Sequence, residues 1–124
     1  MNALIDDTNA DNTITSYGLG WIKVAGEQIS EPCIVTPNSV LRDLLPQDIS
    51  NLVPNQLQPL IRIKPEVVIF GTGTNQFFLD NEIALAFESL RIGVEYMSTA
   101  AACRSFNVLL AEARSVAGVF YMMS

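Results

Sequence analysis

A chain of 124 residues, 49% hydrophobic and 16% charged, is long enough for one hydrophobic core and too apolar for a disordered polymer, yet holds no apolar run near the roughly 20 residues of a membrane-spanning helix. Thirteen acidic against seven basic residues give a formal net charge of −6, which repels phosphate backbones and excludes general nucleic-acid binding. Histidine is absent and the only cysteines are Cys33 and Cys103, so Ser-His-Asp and Cys-His catalysis, a Cys/His zinc site and a CxxC redox pair are excluded; a disulfide between the two stays open.

Residues 1–12 are polar and acidic, without helical or alternating periodicity, and read as a flexible tail before a single globular domain over residues 13–124. Asp6, Asp7 and Asp11 precede the first basic residue, Lys23. That is the reverse of a signal peptide or mitochondrial presequence, and with so few cysteines it points to a reducing, cytoplasmic location. Residues 13–37 are rich in Ile, Val, Tyr and Trp and interrupted by glycines, the pattern of short strands: 21–24 pairs with 27–29 across Ala25 and Gly26, and 33–36 follows. From 37 to 65 the prolines at 46, 54 and 59 prevent a long helix; a short one is expected near Pro54, bent or ended by Pro59.

The run Val67, Val68, Ile69, Phe70 is that of a strand buried on both faces. Asp80 as N-cap, Glu82 in the first turn, an Ile83, Phe87, Leu90 stripe and Arg91 before Gly93 predict a helix. Residues 94–97 form the next strand, Ser98 or Thr99 caps a second helix to about 115, and 116–122 closes the sheet. Strand, helix, strand, helix, strand gives an α/β domain with a mainly parallel sheet and the amino-terminal hairpin at its side.

Gly71, Thr72 and Gly73 follow the buried strand, where an α/β sheet places its ligand crevice. Gln76 stands where a dinucleotide fingerprint needs its third glycine and no lysine follows, so a structural turn is favoured over a phosphate loop. In the second helix, a 100° step puts Ala102, Phe106, Leu109, Leu110 and Ala113 on one apolar face and aligns Cys103, Asn107 and Arg114 along its edge, with Arg104 farther towards solvent. The plainer reading has Asn107 and Arg114 satisfying carbonyls or a carboxylate of the adjoining loop, with Cys103 as a small apolar filler. The sharper one has Arg114 and Asn107 binding an anion or a partner's carboxylate beside the glycine turn, with the Thr99 hydroxyl contributing. No general base accompanies Cys103. Glu95 and Glu112 are expected as ion partners of Arg114 or Arg104 or as solvated charges. Trp21, Phe77 and Phe78 are expected as core lids, and exposed together they would mark a protein interface.

Gly71-Thr72-Gly73, residues 90–95 (Leu-Arg-Ile-Gly-Val-Glu), residues 97–109 from Met97 to Leu109, and Glu112-Ala113-Arg114 together resemble the domain-of-unknown-function family that includes mitochondrial respiratory complex I assembly factor three and an adipogenesis-associated cytosolic relative. The resemblance spans roughly residues 13–122. It implies a single three-layer α/β domain, a central mixed sheet with helices packed on it and a smaller β portion. Ser105, Phe106 and Ala113 stand where threonine, tyrosine and glycine are usual, and Phe106 lacks the phenol.

The expected function is a non-enzymatic, cytoplasmic protein-interaction module without cofactor or metal. It aids assembly of a membrane respiratory complex by holding a protein partner through the surface around residues 71–78 and Arg114, without membrane insertion. The alternative is a protein, or weak enzyme, that receives a small anionic metabolite on the glycine turn, Thr99, Asn107 and Arg114. A homo-oligomer is the third possibility.

Overall fold

The computed structural model describes residues 12–124; the expected tail, apart from Asn12, lies outside the described residues. In chain order the elements are β1 (Ile14–Gly18), β2 (Trp21–Val24), β3 (Glu27–Ile29), β4 (Cys33–Thr36), β5 (Ser39–Arg42), the 3-10 turns Ile49–Asn51 and Pro54–Leu57, α1 (Gln58–Ile63), β6 (Val67–Thr72), α2 (Asn81–Glu88), β7 (Gly93–Met97), α3 (Thr99–Ala111) and β8 (Val116–Tyr121).

The strands make two sheets. One is the antiparallel meander β1-β2-β3, whose second turn is closed by Ala25 and Gly26, both at positive φ as a tight right-twisted hairpin requires. The other is a mixed sheet of order β5-β4-β8-β6-β7, with β6 parallel to both β8 and β7 and β4 antiparallel to β8 and β5. β6 and β8 are central and buried on both faces, which is why their sequences are continuously apolar rather than alternating.

Alternate residues of these strands feed two cores. Ile69, Val116 and Phe120 pack with Ala102, Cys103 and Phe106 of α3 and with Ile14, Ile22 and Ile29 of the small sheet. Val68, Phe70, Ala117 and Val119 pack on the opposite face with Leu57 and Leu60, Ile83 and Phe87 of α2, and Ile92. The central sheet is thus covered by α3 and the meander on one side and by α1 and α2 on the other, the three-layer α/β arrangement expected.

Several local expectations are corrected. Pro59 lies in the first turn of α1, where its missing N–H has no intrahelical acceptor to lose, so it starts the helix instead of ending it. β5 runs through the segment expected to be irregular, paired from Ser39 to Arg42 against β4. Asp80 occupies the N-cap of α2 but its side chain makes no capping bond. Ile83 and Phe87 are core while Leu90 is exposed beyond the helix, and Arg91 takes the left-handed conformation (φ 62°) that reverses the chain. α3 ends at Ala111; Ala113, expected in its apolar face, is exposed at φ 58°.

Candidate functional site

The glycine segment is strand before it is turn. Gly71 and Thr72 are the last residues of β6, and only Gly73, at φ +100°, uses the freedom of glycine in a turn. Gly71 is required for a different reason. A Cβ there would stand 3.1 Å from the Ala102 Cβ, 3.1 Å from Thr99 Oγ1 and 3.2 Å from Phe120 Cδ1, so its absence lets the start of α3 lie directly on the sheet.

Thr99 is fully buried at that contact. Its Oγ1 accepts from the Gly73 N–H (2.8 Å) and donates to the Tyr121 carbonyl (2.6 Å), while its own N–H donates to the Gly73 carbonyl (2.8 Å). Thr72 Oγ1 lies 2.7 Å from the Asn75 carbonyl and 3.1 Å from the Met97 carbonyl. These bonds tie the carboxyl ends of β6, β7 and β8 to one another. Beside them, Gln47, Asp48, Thr74, Asn75, Phe77 and Met122 border an open crevice of about 620 Å³.

The side chains at the edge of α3 are engaged within the chain, though Asn107 not with the adjoining loop. Asn107 reaches β1, its Oδ1 accepting from the Ile14 N–H (2.8 Å) and its Nδ2 donating to the Ile14 carbonyl (2.9 Å). Cys103 is buried, as is Cys33, and both thiols are free. Burial pushes each thiol up to about 12; beside it, the charge of Glu31 raises Cys33, with Arg42 opposing, and Arg104 opposes the rise at Cys103. Neither is a nucleophile near neutral pH.

Arg114 is not beside the glycine turn. Its Nε donates to Glu66 Oε1 (3.3 Å), just before β6, whereas Gly73 follows the other end of that strand, about 23 Å from Glu66 for the usual rise per residue. Glu66, not Glu95 or Glu112, is therefore the ion partner. The Ser115 N–H and then the Arg114 guanidinium hold its carboxyl below the usual range. Structure thus unites Gly71, Thr72, Gly73 and Thr99 in one knot, sets Cys103 and Asn107 farther along α3, and leaves Arg114 at the opposite end of the sheet.

Arg114 does line a second concavity, which the sequence reading missed. Between α3 and the edge strand β7 runs a groove of about 480 Å³ with Val67, Ile69, Met97 and Leu109 among its apolar lining, Val108 at 57% exposure, and Arg104, Arg114 and Glu95 as its charges. It exists because α3 covers β6 and β8 but leaves this face of β7 open. On the other side of β7 Phe78 is 69% exposed, and Phe77, on the crevice beside Thr72 and Tyr121, is 43% exposed, so neither is a core lid. The Phe78 ring meets Tyr96 edge-on at 5.7 Å, and Tyr96 stacks on Phe70 at 5.4 Å. Trp21 is half-buried on the meander.

No group of three or more potential metal-ligating side chains occurs among the described residues. No helix among them is long and apolar enough to cross a membrane.

Residues 14–121 match the family described as protein of unknown function (DUF498/DUF598). The NADH dehydrogenase (ubiquinone) 1 alpha subcomplex assembly factor 3 of Xenopus tropicalis is 30% identical over 106 residues, covering 84% of this chain and 57% of its own length. The chain therefore spans little more than half of that relative. A 13 kDa major membrane protein of Francisella tularensis is 28% identical over 91 residues, 72% of this chain and 73% of that protein. Among solved structures, a Bordetella parapertussis protein superposes with a TM-score of 0.80 at 33% identity, covering 94% of this chain and 99% of its own.

Proposed function

Since the chain belongs to the family of proteins of unknown function DUF498/DUF598, we propose that it is a non-enzymatic protein-interaction module that works at the cytoplasmic face of a membrane respiratory complex, holding a subunit during assembly. The relatives named as complex I assembly factors support the role, and the Francisella relative named as a membrane protein supports a site of action at a membrane. The chemistry of the chain supports the absence of catalysis, because histidine is lacking, both thiols are buried, and the hydroxyl and amide groups of Thr72, Thr99 and Asn107 are spent on internal bonds.

The observation that carries the reading is the apolar surface on both sides of β7, with Phe78 on one side and the Val108 groove on the other. A single exposed aromatic is ordinary; an exposed aromatic on one face of an edge strand and an apolar groove on the other are what a docking surface presents. Arg114 and the loop after Gly73 belong to this surface as its rim.

The test is affinity purification of the tagged full chain from detergent-solubilised membranes of its native host at several salt concentrations. The expected result is recovery of a respiratory-complex subunit with the wild type and its loss with the double variant Phe77→Ser, Phe78→Ser. Recovery of no such subunit, or equal recovery with the variant, overturns the proposal.

A further inference from the structure

Among the described residues β7 has a neighbour on one side only, since the sheet order ends β6-β7. The Gly93 N–H donates to the Glu66 carbonyl, and the parallel register then pairs Gly93, Glu95 and Met97 inward while Val94 and Tyr96 turn their N–H and carbonyl groups outward. The Tyr96 carbonyl is met there by Gln76 Nε2 at 2.8 Å, a loop side chain standing where a neighbouring strand would donate. Side chains of β7 alternate as well: Glu95 and Met97 line the α3 groove, while Val94 and Tyr96 pack with the opposite core.

Protein edges are normally shielded by charge, proline, a bulge or a covering element. β7 carries one charge, Glu95, and no proline. Both of its faces are flanked by exposed apolar side chains, Val108 on one and Phe78 on the other. A strand added here finds the outward N–H and carbonyl of Val94 and the N–H of Tyr96, displaces Gln76 from the Tyr96 carbonyl, and has a place for each of its alternate side chains, the two requirements of strand addition.

Charge selects the occupant. Full antiparallel pairing of β7 with a second copy sets Glu95 against Glu95, an unfavourable like-charge pair. Arg104, by contrast, lines the groove, donates to the Tyr17 hydroxyl (2.8 Å) and has no ion partner among the described residues. In a chain of net charge −6, with Arg114 held by Glu66 and Glu95 facing the same groove, Arg104 is the one groove guanidinium without a carboxylate among the described residues, and it marks its end of the groove for an acidic side chain of the incoming segment.

We infer that β7 receives an extended, apolar, acid-bearing segment of a different polypeptide as a sixth strand of the central sheet, with alternate side chains in the α3 groove and against Phe78, and a carboxylate reaching Arg104. This deepens the interaction-module reading and rests on it.

The test uses the full chain and three fluorescent nine-residue probes of alternating valine and threonine: one with glutamate at each end, one with lysine at each end, and the glutamate probe with a central proline. The glutamate probe is expected to bind at least tenfold tighter than the other two. Val94→Pro removes an outward N–H without touching the β6 ladder; it is expected to keep the far-UV spectrum and lose at least tenfold in affinity. Arg104→Glu is expected to reverse the charge preference. Equal binding of the glutamate and lysine probes, or tolerance of proline in the probe, overturns the inference whether or not Val94→Pro folds. So does a dimer by sedimentation velocity that Val94→Pro dissolves, which would make a second copy the occupant. Glutamate-probe binding without a respiratory subunit in purification removes only the assembly role. Subunit recovery with no selective binding removes only the strand addition.

Discussion

Asn107 pairs with Ile14 as a neighbouring strand would, taking its N–H at 2.8 Å and giving to its carbonyl at 2.9 Å from a single side-chain amide. The contact joins α3 to the first strand of the meander across 93 positions of sequence. Asn107→Ala leaves both backbone groups of Ile14 without these partners in a half-buried setting and is expected to cost about 2 kcal/mol. Urea denaturation of variant and wild type checks it, and an unchanged midpoint would show that water replaces the amide without loss.

Thr99 holds two backbone groups with one buried hydroxyl, so shape and hydrogen bonding can be separated there. Thr99→Val keeps the volume but strands the Gly73 N–H and the Tyr121 carbonyl, with an expected loss of about 3 kcal/mol; Thr99→Ser keeps both bonds and loses about 1 kcal/mol for the methyl group. Thermal and urea unfolding should rank them wild type, Ser, Val. Equal losses would assign the role of Thr99 to packing alone.

Gly71→Ala tests the same junction from the sheet side. The added Cβ meets Ala102, Thr99 and Phe120 at 3.1–3.2 Å, and the first two contacts are made by atoms fixed close to the α3 backbone. A loss of about 2 kcal/mol is expected from overpacking. A variant as stable as the wild type would mean that α3 lifts from the sheet without cost.

The order of strands and helices from β6 onward was legible because hydrophobic periodicity and caps are local signals. Val67 to Phe70 reads as a doubly buried strand, and Ser98 does accept from the Ala101 N–H at the start of α3. The Ala25-Gly26 hairpin was equally plain. What escaped was decided by tertiary partners. Ser39 to Arg42 has no alternation, and its strand exists through pairing with β4. Arg114 lies near the right helix edge but at the wrong end of the sheet, because α3 runs back along the strands and carries it away from Gly73. The β7 groove was invisible since it depends on which strands α3 leaves uncovered. Val108 on the outer side of an amphipathic helix, together with two phenylalanines in the loop before α2, was the available clue.

Tyr96 Oη is buried without a hydrogen-bond partner among the described residues, and burial, followed by the charge of Glu88, raises its pKa above the usual phenol value. The ring is useful and the hydroxyl is not: the ring stacks on Phe70 and meets Phe78, while the oxygen is stripped of water for no bond. Tyr96→Phe is therefore expected to raise stability by about 1 kcal/mol. A lower denaturation midpoint in Tyr96→Phe would mean that the hydroxyl does find a partner.

The two thiols give the protein a defined alkaline limit. Desolvation raises Cys33 and Cys103 from the ordinary 9.0 to about 12 in the folded state. The folded chain then holds protons that the unfolded chain releases between those values. By linkage the stability they contribute is whole below pH 9 and falls as pH rises from 9 towards 12. Burial of the Tyr121 phenol, whose hydroxyl donates to the Pro46 carbonyl at 2.9 Å, also raises its pKa, so its contribution falls in the same direction. Urea midpoints measured between pH 7 and 11 are expected to stay flat to about pH 9 and then drop. The double variant Cys33→Ala, Cys103→Ala should start lower and drop less steeply. In the same series a chromogenic disulfide reagent at pH 8 should label neither thiol of the folded wild type and both in urea. Rapid labelling without denaturant, or a slope unchanged by removing the cysteines, would show that these thiols are open to water.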